Sequence, residues 1–211
     1  MDKLGNPSEN ISGSGRHTEE KNWVKAIQSG DKKVFRLMFD TYYHPLLRFA
    51  FRYVKAEAIA EELVQNIFLW IWENRHEWNV NGKLKTYLFR AIKYKAMDYG
   101  RQERTRRQYI DQFSEEEERE FKTDLDVQEQ KESKFIQVVQ ETIEELPERP
   151  RMIYKLSRLE GLTYSEIAEV LEISPKTVEA HMSRALSFLR ERLAKYAPLM
   201  PIIGFINNIL R

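Results

Sequence analysis

The sequence predicts an all-α protein built from two small helical domains, an N-terminal helical bundle and a C-terminal helix-turn-helix, joined by an acidic linker. Three observations carry this prediction. Apolar residues recur three and four apart through most of the chain, the period of helices with one buried face. Only 8 Gly and 7 Pro punctuate 211 residues, too few to turn the many short strands of a sandwich or barrel. The formal net charge of +1 conceals two opposed blocks: Lys83 to Arg107 carries nine basic against two acidic residues, whereas Asp111 to Glu132 carries ten acidic against three basic ones. The acidic block is poor in apolar residues and reads as a solvated connection between domains.

Residues 1–21 hold Gly5, Pro7, Ser8, Ser12, Gly13, Ser14 and Gly15 among polar neighbours, a composition expected to form a disordered leader. From Trp23 onward the helical period sets in, with Val34, Phe35, Met38, Phe39, Tyr42 and Tyr43, then Leu46, Leu47, Ala50, Phe51 and Val54. Two helices meeting near Pro45 are expected there. A third run, Ile59, Leu63, Val64, Ile67, Phe68, Ile71 and Trp72, ends near Trp78, and Asn79 to Gly82 reads as a loop. A fourth helix follows over roughly 85–107. Beyond the linker, 108–134, Phe135 to Leu146 is helical by period. Pro147 and Pro150 are expected to break it before Arg151 to Glu160 resumes.

Thr163 and Glu166 form a capping-box pattern, and Ser174 followed by Pro175 supplies a second helix start three residues after the first helix ends near Leu171. Two helices joined so closely must cross steeply over a small apolar contact, here Ile167, Ala168, Leu171, Ile173, Val178 and Met182. The second helix projects Lys176, Thr177, Glu179, Ala180, His181, Ser183 and Arg184 from its first turns, the part that enters a DNA major groove. Arg184 offers a fork for guanine edges, and Lys176 and Thr177 suit phosphates. An ordinary helical hairpin with a charged face is the plainer alternative.

The basic fourth helix interleaves Tyr87, Phe89, Tyr94 and Tyr99 with its cations, beside a loop bearing Asn79, Asn81, Lys83 and Lys85. Backbone charge next to flat side chains suits single-stranded DNA. Leu88, Phe89 and Ile92 are expected in the core, and Trp70, Trp72 and Trp78 are read as packing.

Zero Cys excludes a disulfide framework, a thiolate zinc site and a cysteine nucleophile, and makes a reducing cytoplasm the simplest home. The four histidines, His17, His44, His76 and His181, lack metal-ligand spacing, and no glycine-rich phosphate loop is present. No cofactor and no catalysis are expected. No run approaches the ~20 apolar residues of a membrane span, and the apolar tail, 196–211, is short and broken by Pro198 and Pro201.

The run LTYSEIAEVLEISPKTVEAHMSRAL from Leu162 to Leu186, preceded by ELPER from Glu145 to Arg149, resembles the C-terminal domain of bacterial sigma factors of the extracytoplasmic-function group. The run AEELVQNIFLWIW from Ala60 to Trp72 is similar to that family's core-polymerase-binding helix. TYLFRAIKYKAMDY from Thr86 to Tyr99, with its arginine tail, resembles the helix that engages the melted minus-ten element. The resemblance implies a region 2 domain over 22–107 and a region 4 domain over 135–195, with core RNA polymerase and promoter DNA as partners, and it admits an anti-sigma factor as a third. It implies polymerase contacts at Glu61, Glu62, Gln65, Asn66 and Phe68. Minus-ten contacts are expected at Asn81, Lys83, Lys85, Tyr87, Arg90, Lys93, Tyr94, Asp98 and Arg101, and minus-thirty-five contacts on the second helix of the hairpin. Two departures stand out: Asn66 replaces a usual acid, and Glu172 a usual Gly in the turn, at a strain of about 1 kcal/mol. The competing functional reading is a helix-turn-helix activator whose N-terminal half senses a ligand or dimerises.

Overall fold

A computed structural model describes residues 13–110 and 132–194, which are helical with short turns. They fall into two compact units, one within residues 1–119 and one within 120–211.

In the N-terminal unit the elements are α1 (Gly13–Gln28), α2 (Lys32–Val54), α3 (Glu57–Glu73) and α4 (Leu84–Ile110), with α2 packed against the other three. Asp31 starts α2 by accepting from the backbone N–H groups of Lys33 (2.8 Å) and Val34 (3.1 Å), two of the donors a helix start leaves bare. Lys55 ends it in the left-handed region, its N–H donating to the Phe51 carbonyl at 2.8 Å. The core joins Met38, Leu46 and Ala50 of α2 to Val64, Ile67 and Ile71 of α3 and Leu88, Phe89 and Ile92 of α4. Each of these apart from the small Ala50 contributes about 1.5–3 kcal/mol on burial. Trp78, 2% exposed, closes one end from the α3–α4 loop, and its carbonyl accepts the Gln28 side-chain N–H at 2.7 Å. Gly82 turns the chain into α4 at φ +97°, where an L side chain is strained.

Three sequence expectations change here. Helix starts at Gly13, so the leader expected over 1–21 does not extend past residue 12, and residues 1–12 lie outside the described ones. The reason is an anchor distant in sequence: buried Glu20 accepts a short hydrogen bond from the Tyr42 hydroxyl, and the Trp23 ring meets Tyr42 edge-on at 6.5 Å. Second, α2 runs unbroken through Pro45. A proline inside a helix costs about 3 kcal/mol, which the burial of Tyr42, Leu46, Leu47, Phe49 and Ala50 on both sides outweighs. Third, α4 extends to Ile110 and α5 begins at Glu132, inside the expected linker at both ends. Residues 111–131 of the acidic block and the apolar tail lie outside the described residues.

The C-terminal unit comprises α5 (Glu132–Glu144), α6 (Glu148–Arg158), α7 (Tyr164–Leu171) and α8 (Pro175–Leu193), with α8 as the common packing partner. Pro150 does not interrupt a helix. It sits in the first turn of α6, where its missing N–H would have had no intrahelical acceptor. Glu144 at the end of α5 accepts hydrogen bonds from Arg151 (3.1 Å) and Lys155, tying α5 to α6. Its carboxyl lies below the ordinary range: burial alone would raise it, but the hydrogen bond and charge of Lys155, with Arg151, outweigh that. Burial pushes the Tyr154 hydroxyl upward, against the charge of Arg158.

Candidate nucleic-acid and polymerase interfaces

The hairpin of α7 and α8 is set by local chemistry. The Thr163 hydroxyl oxygen accepts from the Glu166 N–H at 3.3 Å, and the Glu166 carboxylate accepts from the Thr163 N–H at 2.7 Å, which completes the capping box. Glu172 stops α7 at φ 57°, ψ 47°, with its N–H on the Ala168 carbonyl, so the residue standing where Gly was expected does occupy the left-handed region. Ser174 accepts from the Thr177 N–H at 3.0 Å, and Pro175 opens α8. Ile167, Val178, Met182, Ala185 and Leu189 are buried, and this contact sets the crossing of the two helices.

That burial turns the opposite face of α8 outward. Lys176, Glu179, Ala180, Ser183 and Arg184 are exposed together, as their i, i+3, i+4, i+7 and i+8 relations require. Thr177 is half-buried, and its hydroxyl lies 2.8 Å from that of Ser174, so it serves the helix start as well. His181 is also half-buried, with Nδ1 enclosed and without a hydrogen-bond partner. The imidazole lies below its ordinary value, because burial and then the charges of Arg184 and Arg149 disfavour the imidazolium.

Along α4 and the loop before it, Asn81, Tyr94, Asp98 and Arg101 are exposed and Lys83, Lys85, Tyr87 and Arg90 half-buried. Asp98 and Arg101 form an exposed ion pair at 3.3 Å. The ring of Tyr87 lies 6.1 Å from that of Trp78, which braces it. Lys93 departs from expectation: it is only 5% exposed and its Nζ lies 5.5 Å over the Tyr94 ring. Its position, four residues after Phe89 and three before Ala96, puts it on the core stripe of the helix, so it is not available as a direct DNA contact.

On α3, Glu62, Gln65 and Asn66 are exposed and Glu61 is half-buried. Phe68, expected at the polymerase surface, is 2% exposed. Its ring packs against Phe39 at 4.8 Å and Phe35 at 6.3 Å, because positions 60, 64, 67, 68 and 71 form the buried stripe. The exposed face instead carries Leu69, 54% exposed, and Trp70, 49% exposed; Trp70 was expected to pack. The period alone places Leu69, two residues from both Ile67 and Ile71, opposite the buried stripe, but sets Trp70, three residues after Ile67 and seven after Leu63, at its edge, where packing decides. Among the described residues no group of three or more His, Asp and Glu could hold a metal ion, and no helix is long and apolar enough to cross a membrane.

The same two units occur in known proteins. A sigma-70 region 2 model matches residues 38–106 and a sigma-70 region 4 model matches residues 136–189, together more than half of the chain. The extracytoplasmic-function (ECF) RNA polymerase sigma-E factor of Haemophilus influenzae is 28% identical over 183 residues, covering 84% of this chain and 95% of that protein. The ECF RNA polymerase sigma factor SigX of Bacillus subtilis is 24% identical over 168 residues, covering 77% and 84%. Two solved structures share the fold at 20% identity: CnrH in complex with the cytosolic domain of CnrY (TM-score 0.51, covering 83% of this chain and 97% of that one), and the sigma factor RpoE with the anti-sigma factor NepR from Bartonella quintana (TM-score 0.55, 77% and 98%). The chain belongs to the sigma-70 family, as an RNA polymerase sigma factor of the extracytoplasmic-function group. It works with core RNA polymerase and promoter DNA in transcription initiation. The activator with an N-terminal sensor is not favoured, because a region 2 match occupies that half of the chain.

Proposed function

We propose that three exposed faces divide the work of initiation. The α3 face, with Glu61, Glu62, Gln65 and Asn66 extended by Leu69 and Trp70, engages core polymerase. An apolar pair rimmed by polar side chains is the composition of a binding centre. The loop and outer side of α4, with Asn81, Lys83, Lys85, Tyr87, Arg90, Tyr94 and Arg101, hold the melted minus-ten strand through backbone charge and stacking. The exposed face of α8 reads the minus-thirty-five element, with Arg184 on a base edge and Lys176 on phosphate. Region 2 over 22–107 and region 4 over 135–195 are the working domains, joined by 108–134. The chain supplies binding and no bond-making step, and acts in the cytoplasm. An anti-sigma protein is a further partner, supported by the structural relative solved with the anti-sigma factor NepR.

The observation that carries this reading is the clean division of α8, a wholly buried Val178, Met182, Ala185 and Leu189 stripe opposite an exposed polar face ending in Arg184. Promoter-dependent initiation on purified core polymerase tests it, since a conventional activator does not replace the missing sigma subunit. Glu61, Glu62 and Gln65 changed together to Ala should weaken core binding. Arg184→Ala should relax preference at one base pair, whereas Lys176→Ala should weaken all sequences alike. Failure to support initiation from any promoter selected by the chain would refute the reading.

A further inference from the structure

Gln28 ends α1 and reaches across to the loop before α4. Its side-chain Nε2 donates to the Trp78 carbonyl at 2.7 Å, over 50 positions of sequence. The donor is firmly seated. Ile27 beside it is fully buried, the Trp23 ring meets Tyr42 edge-on at 6.5 Å, and Glu20 accepts from the Tyr42 hydroxyl. The acceptor is seated only on one side. Residues 74–78 close a turn at the end of α3, with the Trp78 N–H donating to the Asn74 carbonyl at 2.8 Å. Beyond it, residues 79–82 lie outside any helix, and Gly82 stands at φ +97° with nothing within 4 Å of where a Cβ would be. A cavity of about 340 Å³, lined by Val24, Lys25 and Gln28 of α1 and by Asn79, Val80 and Gly82, lies between the helix and this stretch. Close packing therefore does not hold the stretch against α1, and the bond to Trp78 sets where it begins. The indole N–H of Trp78 is enclosed without a hydrogen-bond partner, so the polar ties of this residue are its two backbone groups. Its ring, 6.1 Å from that of Tyr87, passes its position on to α4.

We propose that Gln28 is a positioning residue for promoter melting. Its bond to the Trp78 carbonyl fixes the start of the 79–82 stretch and, through the Trp78 ring, the aromatic face of Tyr87, so that both are set before the melted minus-ten strand arrives. The proposal rests on the reading of this loop and α4 as the face that holds that strand. Ordering a loop at the moment of binding costs conformational freedom, and a bond already made in the free protein removes that cost. In this way α1 acts on the melted strand without touching it.

The test uses the full chain with core polymerase on a promoter duplex selected by it, and reads closed-complex binding separately from opening, the latter by permanganate reactivity of thymines in the minus-ten element. Gln28→Leu keeps the bulk and removes the donor. Opening should fall about three- to tenfold, the weight of one hydrogen bond, while core affinity, closed-complex binding and the tryptophan fluorescence midpoint of unfolding stay near those of the parent. Gln28→Glu, which sets a carboxylate against the Trp78 carbonyl, should open no better than the Leu variant. Combined with Tyr87→Ala, Gln28→Leu should cost less than the product of the two separate losses, because both act on one contact. Parental opening in the Glu variant, or losses that multiply in the double variant, overturns the proposal. So does a fall in core affinity and closed-complex binding equal to the fall in opening, which marks a role in folding alone. If opening is insensitive to Gln28 yet falls when Lys83 and Lys85 are changed to Ala, the reading of the loop survives that failure; if neither change affects opening, the reading itself falls.

Discussion

Removing the capping box of α7 isolates one local device in a molecule of two units. Thr163 is exposed, so Thr163→Ala loses almost no packing, and the bond from the Thr163 N–H to the Glu166 carboxylate survives because the N–H is backbone. What disappears is the acceptor for the Glu166 N–H, at 3.3 Å already a long bond. Loss of an N-cap side chain costs about 1 kcal/mol within a range of 0.5–2, and a long bond belongs in the lower half, about 0.5–1 kcal/mol. For a domain of about 60–100 residues, 1 kcal/mol displaces the melting midpoint by roughly 4–8 °C, so about 2–8 °C is expected here. All four tryptophans, Trp23, Trp70, Trp72 and Trp78, lie in the N-terminal unit, whereas far-UV circular dichroism follows helices in both. Thermal melts of the full chain should therefore show a dichroism component moved down while the tryptophan fluorescence midpoint stays put. Thr163→Asp, which restores an acceptor, should recover most of the loss. An unmoved dichroism transition, or an Asp variant as poor as Ala, would refute the assignment of the cap. A fluorescence midpoint that moved in step would refute independent unfolding of the two units.

Pro45→Ala should restore a hydrogen-bond donor toward the Thr41 carbonyl inside α2, stabilising the N-terminal unit by about 1–2 kcal/mol after the greater freedom of the unfolded chain is deducted; a lowered fluorescence midpoint would count against this. Glu144→Gln concerns acid stability. Because the folded state holds this carboxyl below the ordinary carboxyl value of 4.5, its stabilisation is complete above about pH 4.5 and is lost as pH falls through the lower folded value, so the variant should flatten the acid limb of the C-terminal unit, measured by dichroism at a series of pH values. Trp70→Ala should weaken core-polymerase binding tenfold or more, equivalent to about 1.4 kcal/mol, with stability changed by no more than about 0.5 kcal/mol. Phe68→Ala, by contrast, should cost about 3–5 kcal/mol of folding stability, read from denaturant unfolding followed by fluorescence.

The hairpin was legible from the chain because everything that sets it is local. The Thr163 and Glu166 pair, Ser174 before Pro175, and the i, i+4 stripe of Val178 and Met182 act within one or two turns, so residue order alone specified the helix starts and which side of α8 faces out. The helical character of the region around α3 and α4 was likewise written in its period, and the motifs of both regions carried the family resemblance. What only the tertiary structure decided depends on partners far apart in sequence. The buried Glu20 to Tyr42 bond, spanning 22 positions, draws helix back to Gly13 through a segment whose composition reads as unstructured. Packing of α2 on three neighbours carries that helix through Pro45 against its propensity. Lys93 and Phe68 went inward and Trp70 outward because a helix face is allotted by what it packs against, and residue type alone does not record the neighbour. The lowering of the His181 imidazole by burial and by the charges of Arg184 and Arg149 is of the same kind, since the field at a side chain sums over charges that only folding brings near.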